Sequence, residues 1–368
     1  MARNKIAEAL LLYPASFLYG IGVGIRNMLF SMGWLKSQKF DIPVICVGNI
    51  AVGGTGKTPH TEHIIDILKS KYSVGVLSRG YGRKTKGFIH IDKNATPETV
   101  GDEPFQMYRK FGAHVLFAVC EKRTEGIRRM REINPELQVI VLDDAFQHQY
   151  VKPSLSIVLT EFNRPVFYDR LMPVGRLREP MSALNRCDAV IVTKCPTKLK
   201  PIEYRIFADK LNLFPYQQLF FSHFVYGSPK PLFPSAANSN FRVEDLTADD
   251  TVLSLTGVAN PRPFLSYLRK QKALVKAKTY GDHHDFSAED FNTILRIYKN
   301  LPGKRRFILT TEKDAVKIMN SNDFPAALKP YIFFVPISIS IENNENGSFA
   351  DFIVSKVSNK KCNDGFMR

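Results

Sequence analysis

One stretch near the start of the chain, Val44–Thr58 (VICVGNIAVGGTGKT), limits what the rest can fold into. Val44–Val47 is a short apolar run with the pattern of a buried strand. Gly48-Asn49 breaks it, Gly53-Gly54-Thr55-Gly56 follows as a loop that glycine makes accessible, and Lys57-Thr58 lead into a helical pattern from Pro59 to Lys69. Strand, glycine loop, Gly-Lys-Thr and helix, in this order, make a phosphate-binding loop. Glycines without Cβ let backbone N–H groups converge on one phosphate, and the helix N-terminus adds the positive end of its dipole. Lys57 supplies a point charge to the β- and γ-phosphates, and the Thr58 hydroxyl is placed to ligate Mg²⁺. The strict pattern has Gly where this chain has Ala51, so Gly53 and Gly54 are expected to supply the backbone freedom. The loop is expected to bind a nucleotide.

At 368 residues the chain has room for two domains of ordinary size. Its 44% hydrophobic and 23% charged composition describes a globular protein and excludes a disordered one. A formal charge of +16 predicts an acidic partner: anionic lipid, phosphorylated substrate or nucleic acid, among which composition does not choose. The cysteines, Cys46, Cys120, Cys187, Cys195 and Cys362, are odd in number and form no C-x-x-C pair. That set argues against a disulfide framework or a zinc site and suits a reducing cytosol.

Ala9–Ile25 (ALLLYPASFLYGIGVGI) carries no charge, with Arg3 and Lys5 before it and Arg26, Lys36 and Lys39 after it. Its length is the short limit for a membrane span, and Pro14 and three glycines weaken a straight helix. A secretory signal is disfavoured, because the phosphate loop begins soon afterwards and needs cytosolic nucleotide. Two readings remain. The basic flanks favour a membrane-embedded or deeply interfacial anchor; the other is a hydrophobic helix packed on the domain.

Ser73–Ser78 is the next strand and ends in Arg79-Gly80-Tyr81-Gly82-Arg83-Lys84, a basic, glycine-hinged loop suited to an anion at the carboxyl edge of a sheet. Val100-Gly101-Asp102-Glu103-Pro104 precedes a helix, Phe105–Phe111, which Asp102 either caps or adjoins to do chemistry. Val139–Leu142 runs into Asp143-Asp144, as the Mg²⁺ side of a phosphate site requires: a carboxylate at a strand's carboxyl end, beside the strand that carries the loop. Ser156–Thr160 and Asp188–Thr193 are further strands, separated by a basic loop, Pro173–Pro180, that carries Glu179. This alternation of about five βα units implies a mainly parallel sheet covered on both faces.

From Gln217 the pattern changes. Leu219–Tyr226 is aromatic and alternating, Gly227–Pro234 is rich in proline, and an α/β pattern restarts at Thr251. Ser287-Ala288-Glu289-Asp290 has capping-box spacing with Asp in place of Glu. Arg306–Thr311 is a strand leading to Lys313-Asp314, read as a helix-start ion pair, and Tyr331–Ile341 is a last extended run before a helix at Ser348–Val357.

The motifs VGNIAVGGTGKTP (47–59), LSRGYGR (77–83), GDEP (101–104), LDDAFQH (142–148), LREP (177–180), GDHHDF (281–286) and TTEKDAVK (310–317) occur in one order across most of the chain. As an ordered set the chain resembles the tetraacyldisaccharide 4′-kinase family, the lipid A 4′-kinases of Gram-negative bacteria. The resemblance implies an α/β fold: a P-loop NTPase-like α/β/α sandwich with a second, smaller α/β/α domain and an N-terminal membrane-associated helix. The expected division is a helical segment at 1–35, a kinase core at 36–216, a linking strand at 217–235, a C-terminal α/β domain at 236–330, and a return strand, helix and tail at 331–368. The implied reaction moves the γ-phosphate of ATP, with Mg²⁺, to the 4′-hydroxyl of an acylated glucosamine disaccharide 1-phosphate in lipid A biosynthesis. The implied setting is a monomer on the cytoplasmic face of the bacterial inner membrane, touching anionic membrane lipids and no nucleic acid.

Carried residue by residue, the resemblance assigns Lys57 and Thr58 to the phosphates and Mg²⁺, with Gly53, Gly54, Thr55 and Gly56 around the nucleotide. Asp143 and Asp144 match the family's acidic pair. Asp102 matches its proposed general base, and His283 the histidine thought to work beside that base, chosen over His284 because it directly follows Asp282. Arg79 and Arg83 are candidates to hold phosphate oxygens, Glu179 is a candidate nucleotide contact, and His148 and His284 are read as structural. Phosphoryl transfer needs positioning and charge neutralisation, with a group that takes the hydroxyl proton late. A carboxylate near Lys57 and Mg²⁺ is a poor base alone, and a histidine bonded to it raises its basicity. That pairing requires a hinge through the 217–235 and 331–341 strands. Two other functions compete: a nucleic-acid-dependent ATPase, which lacks an aromatic and basic single-strand platform, and a nucleotide-gated binding or delivery protein, which gives Asp102 and His283 no reason to share a site.

Overall fold

The computed structural model describes residues 2–236, 242–282, 284–342 and 348–365. The chain forms two compact units, Met1–Phe224 with Ile339–Arg368, and Val225–Ser338. The first unit contains helix α1 (Ala2–Ser31), strand β1 (Val44–Asn49), α2 (Lys57–Lys69), β2 (Val74–Ser78), β3 (Ile89–His90), α3 (Pro97–Val100) and α4 (Asp102–Phe111). It continues through β4 (Val115–Val119), α5 (Arg123–Ile133), β5 (Val139–Asp143), β6 (Leu155–Glu161), β7 (Ala189–Thr193), α6 (Pro201–Leu211) and β8 (Gln218–Tyr226), whose last residues enter the second unit. There follow β9 (Lys230–Pro231), β10 (Asp250–Thr256), α7 (Arg262–Arg269), β11 (Leu274–Thr279), α8 (Ala288–Lys299), β12 (Arg305–Thr311), α9 (Glu312–Met319) and β13 (Ile332–Val335). Strand β14 (Ile337–Ile341) returns to the first unit, which also holds α10 (Phe349–Gly365).

Nine strands make one sheet in the order β14-β8-β7-β6-β1-β5-β2-β4-β3. From β8 to β4 every pair is parallel, and β3 runs antiparallel to β4 at the edge. Strands β1, β2, β5 and β7 are buried at every residue, so they read as continuous apolar runs instead of alternating ones. Val44, Cys46, Leu77, Ile140 and Leu142 pack with Ile127 and Met130 of α5, while α2 buries Ile64, Ile65 and Leu68 and packs on β1 and β5. Strand β1 sits between β5 and β6, and the β5-to-β6 connection crosses over it. The carboxyl end of β1 is therefore the crevice that such sheets use for ligands.

The second sheet, β11-β10-β12-β13-β9, is parallel except for β9. Neighbouring residues of β10 face two different cores. Leu253 and Leu255 meet Phe291 and Ile294 of α8, and Val252 meets Phe264 and Leu268 of α7. Ser287 caps α8 in a reciprocal box with Asp290, as its spacing predicts. The extended run 331–341 is split at Pro336, which has no N–H to give a ladder, into β13 of one sheet and β14 of the other.

Helix α1 runs without a break through Pro14. Its polar stripe is bonded to the first unit: Ser16 Oγ to Leu171 O at 2.9 Å, Tyr19 OH to Arg178 O at 2.8 Å and Arg26 Nη2 to Gln147 O at 2.7 Å. Leu11, Phe17, Leu18, Ile21, Ile25 and Met28 remain exposed. Among the described residues no helix is long and apolar enough to cross a membrane. The spanning form of the expected anchor therefore has no support in α1, whose polar stripe breaks up its apolar surface.

Candidate active site

The loop between β1 and α2 is shaped by what holds its back. Gly56 occupies the N-cap of α2 at φ 90°, a left-handed conformation that costs a residue with Cβ about 1–2 kcal/mol. It brings no capping side chain, so the first N–H groups of α2 are left to a ligand. Asn49 Nδ2 donates to Thr55 Oγ1 at 2.9 Å, and Thr193 Oγ1 donates to Thr55 O at 2.8 Å. Lys194 Nζ donates to Gly54 O and to Glu161, and His60 Nδ1 lies 2.7 Å from Gly56 O. A trans peptide points its N–H away from its C=O. Fixing the Thr55 and Gly56 carbonyls thus turns the N–H groups of Gly56 and Lys57 the other way. The Thr55 N–H is used within the loop, on Gly53 O.

Parallel register sets Asp143, the last residue of β5, beside Val47 of β1. Its carboxylate, 1% exposed, accepts from Thr61 Oγ1 at 3.0 Å and Ser78 Oγ at 3.3 Å. Burial above all, then Glu103 and Asp144, pushes this acid above the usual carboxylate range, against the pull of Lys57 and Thr61. Asp144 follows at φ 45°, with Lys57 Nζ and Arg178 Nη2 each 3.6 Å from its carboxylate. Its Oδ1 is buried without a hydrogen-bond donor, a costly state for a carboxylate oxygen. A hydroxyl at Thr58, two carboxylates and an adjacent lysine fit Mg²⁺ on a polyphosphate, because Mg²⁺ takes one or two carboxylates and fills its shell with phosphate oxygens and water. Among the described residues no group of three or more His, Cys, Asp or Glu could hold a metal alone.

Asp102 is the first residue of α4 and not its cap; Gly101, at φ 92°, holds that place. A Cβ on Gly101 would lie 2.9 Å from Tyr81 O, so the loop after β2 runs directly over the start of α4. Helix α4 is tied to α2 through Glu62, whose buried carboxylate accepts Gln106 Nε2 at 3.1 Å and Lys110 Nζ at 2.6 Å. Arg79 is exposed at the end of β2. Arg83 is instead turned inward, bonded to Glu121 and to Gly87 O, with Nε and Nη1 buried and unpartnered. The Glu179 carboxylate, 2% exposed, accepts Arg186 Nη2 at 2.8 Å and Asn27 Nδ2 at 3.1 Å, which ties the loop before β7 to α1.

Four residues of this neighbourhood escaped the sequence reading: His60, Arg123, Arg178 and Lys194. Arg123, buried at the start of α5, donates Nη1 to Cys120 O at 2.6 Å and Nη2 to Asp143 O at 3.3 Å. Arg178 donates Nη2 to Asn49 Oδ1 at 2.8 Å besides pairing with Asp144. Only Arg178 carried a signal, as the basic residue of LREP next to Glu179. His148, read as structural, has a buried Nε2 without a hydrogen-bond partner, and burial, then Arg123, Arg26 and Arg79, pushes its ring down to about 4.

In the second unit the GDHHDF loop follows β11 and is gripped by α9. Lys313 Nζ donates to Asp282 at 2.9 Å, and Lys317 Nζ donates to His284 O and Asp285 Oδ1, each at 3.1 Å. Lys313 thus does more than start a helix. Asp314, buried, accepts Gly257 N at 3.0 Å and Thr311 Oγ1 at 2.7 Å. His284 Nε2 lies 3.0 Å from Asp290 Oδ2, and its ring stacks on Tyr280. His283 lies outside the described residues.

Parallel strands, a glycine loop at the crevice and an acidic pair on the adjacent strand define an ATP-binding α/β protein. The comparisons narrow this. The model of the tetraacyldisaccharide-1-P 4′-kinase family matches residues 8–358. A tetraacyldisaccharide 4′-kinase of Bacteroides thetaiotaomicron is 44% identical over 362 residues, 96% of this chain and 95% of that protein. One of Phocaeicola vulgatus is 42% identical over 368 residues, the full length of both. A crystal structure of LpxK from Aquifex aeolicus in complex with ATP superposes with a TM-score of 0.71 at 27% identity, covering 97% of this chain and 99% of that one. The chain belongs to the tetraacyldisaccharide-1-P 4′-kinase family, and it is a kinase.

Proposed function

We propose that this chain transfers the γ-phosphate of ATP to the 4′-hydroxyl of a tetraacyldisaccharide 1-phosphate, on a P-loop NTPase-like core. The observation that carries the reading is the Asp144 carboxylate, with one oxygen buried and unbonded and the other 3.6 Å from Lys57 Nζ, beside a loop whose Gly54, Thr55 and Gly56 carbonyls are secured from behind. Bound ATP supplies the phosphoryl group, and Mg²⁺ neutralises the charge on its oxygens. Gly53, Gly54, Thr55 and Gly56 would wrap the phosphates, Lys57 would add a charge, and Thr58, Asp143 and Asp144 would hold the metal. Asp102 takes the hydroxyl proton with His283 beside it, which the hinge expected in the 217–235 and 331–341 strands has to allow. Arg79 is a candidate contact to the nucleotide, while Glu179, turned to Arg186 and Asn27, would act on it only by holding the loop before β7.

The exposed apolar stripe of α1, from Leu11 to Met28, and the charge of +16 support an interfacial helix on anionic lipid at the cytoplasmic face of the inner membrane. We read the protein as a monomer without a nucleic-acid partner. The test is to incubate purified enzyme with labelled ATP, Mg²⁺ and the acylated disaccharide 1-phosphate. Label in the lipid is expected; its absence with an active control enzyme rejects the reading.

A further inference from the structure

Behind the phosphate loop a buried imidazole joins it to strand β8. His60, 1% exposed, sits one turn into α2. Its Nδ1 is 2.7 Å from Gly56 O and its Nε2 is 2.9 Å from Ser222 Oγ. A carbonyl only accepts, so Nδ1 carries the proton, and Nε2 of the neutral ring accepts from the serine hydroxyl. Two residues on from Ser222, on the same face of β8, the Phe224 ring lies 3.3 Å from where a Cβ of Gly56 would stand. Ser222 is itself fixed in the sheet, since its carbonyl accepts Cys195 N at 2.9 Å.

We propose that His60 is a positioning residue for phosphoryl transfer, bridging Gly56 to Ser222 and so holding the Gly56–Lys57 peptide with its N–H toward the nucleotide. The inference rests on reading this loop as the ATP site. The physical reason is the geometry of one peptide. Gly56, a glycine at φ 90°, has no side chain of its own to hold it. Its carbonyl also receives only a long bond from the His60 backbone N–H, 3.3 Å, so the ring supplies the short one. Without the ring the Gly56 carbonyl can swing, and the Lys57 N–H opposite it swings too. Through Ser222, β8 becomes the outer support of this peptide. That strand is also the one that runs on into the second unit.

The experiment compares His60→Leu, His60→Asn, Ser222→Ala and their combination H60L/S222A with wild type, using Lys57→Ala as the control. ATP·Mg²⁺ affinity is measured by calorimetry, kcat and KM for ATP with the acylated disaccharide 1-phosphate as acceptor, and Tm. His60→Leu should weaken ATP binding about tenfold, the worth of one buried hydrogen bond, and lower kcat as well. His60→Asn, whose amide N–H can take the place of Nδ1, should recover ATP affinity to within about threefold of wild type. Ser222→Ala should lower kcat/KM about threefold, and the combination should be no worse than H60L alone, because both act through one chain of contacts. The proposal is overturned if Tm falls while ATP affinity and kcat/KM stay within about twofold of wild type, or if Asn is no better than Leu. Should H60L not fold, Ser222→Ala and His60→Asn decide the matter by the same criteria. If Lys57→Ala also binds ATP normally, the ATP-site reading fails; if only the His60 and Ser222 variants are silent, the positioning role fails.

Discussion

Replacing Asp250 by Asn should cost the second unit about 2 kcal/mol near neutral pH and almost nothing near pH 2. Asp250 opens β10 with 1% of its surface exposed. Its carboxylate accepts Nε and Nη2 of Arg305 at 2.9 and 2.7 Å, and the N–H and hydroxyl of Thr247 at 2.7 and 2.9 Å. The Arg305 bonds first, then those of Thr247, outweigh burial and hold this acid down at about 2. An unperturbed aspartate titrates near 3.9, and each unit of difference corresponds to about 1.4 kcal/mol, which gives roughly 2.5 kcal/mol. Arg305 is 49% exposed, so solvent screening reduces this to about 2. Because the folded state binds the proton more weakly than the unfolded chain, the stabilisation is complete above about pH 4 and is lost as pH falls toward 2. Asn offers one acceptor oxygen and points an N–H₂ at groups that are themselves donors. The only tryptophan of the chain is Trp34, in the first unit, so its fluorescence does not report this event. Hydrogen exchange of β10–β12 peptides between pH 6 and pH 2.5, in wild type and D250N, reads it directly. A gap between the two proteins that stays constant across that range would refute the reasoning.

Lys57→Met should lower turnover at least about a hundredfold with little change in Tm, because its pair with Asp144 spans 3.6 Å in a partly exposed place. Gly101→Ala, at φ 92° and with its Cβ 2.9 Å from Tyr81 O, should cost about 1–3 kcal/mol in urea unfolding and lower kcat more than ATP affinity, since Asp102 follows it. Phe17→Glu with Leu18→Glu, at side chains 69% and 67% exposed, should reduce sedimentation with anionic vesicles and leave Tm unchanged. Equal sedimentation would remove the lipid-facing role of α1. Lys317→Met should lower kcat severalfold with ATP affinity intact, because Lys317 holds the backbone of the GDHHDF loop; weakened ATP binding would contradict that separation.

What the sequence disclosed about this molecule was whatever is local along the chain. Strands β1, β2, β5 and β7 were legible because helices on both sides leave them no polar face, and Gly-Lys-Thr was legible because the ligand-facing side of the loop is contiguous. The acidic pair could be matched to that loop because parallel register sets Asp143 beside Val47. The back of the loop is different. Thr193 and Lys194 reach it from β7, and Ser222 reaches it through His60 from β8, strands far along the chain whose residues carry no pattern of their own. A hydroxyl or a lysine at a strand end is ordinary in composition and acquires a task only when a distant carbonyl arrives beside it. The same holds for Lys313 and Lys317, which lie in helical spacing on α9 and show their use only against Asp282 and the backbone of His284. A phosphate loop is therefore encoded twice: locally on the side that meets the nucleotide, and diffusely on the side that keeps its peptides from turning. Substitutions in that second set should be silent to motif searches and visible in kcat.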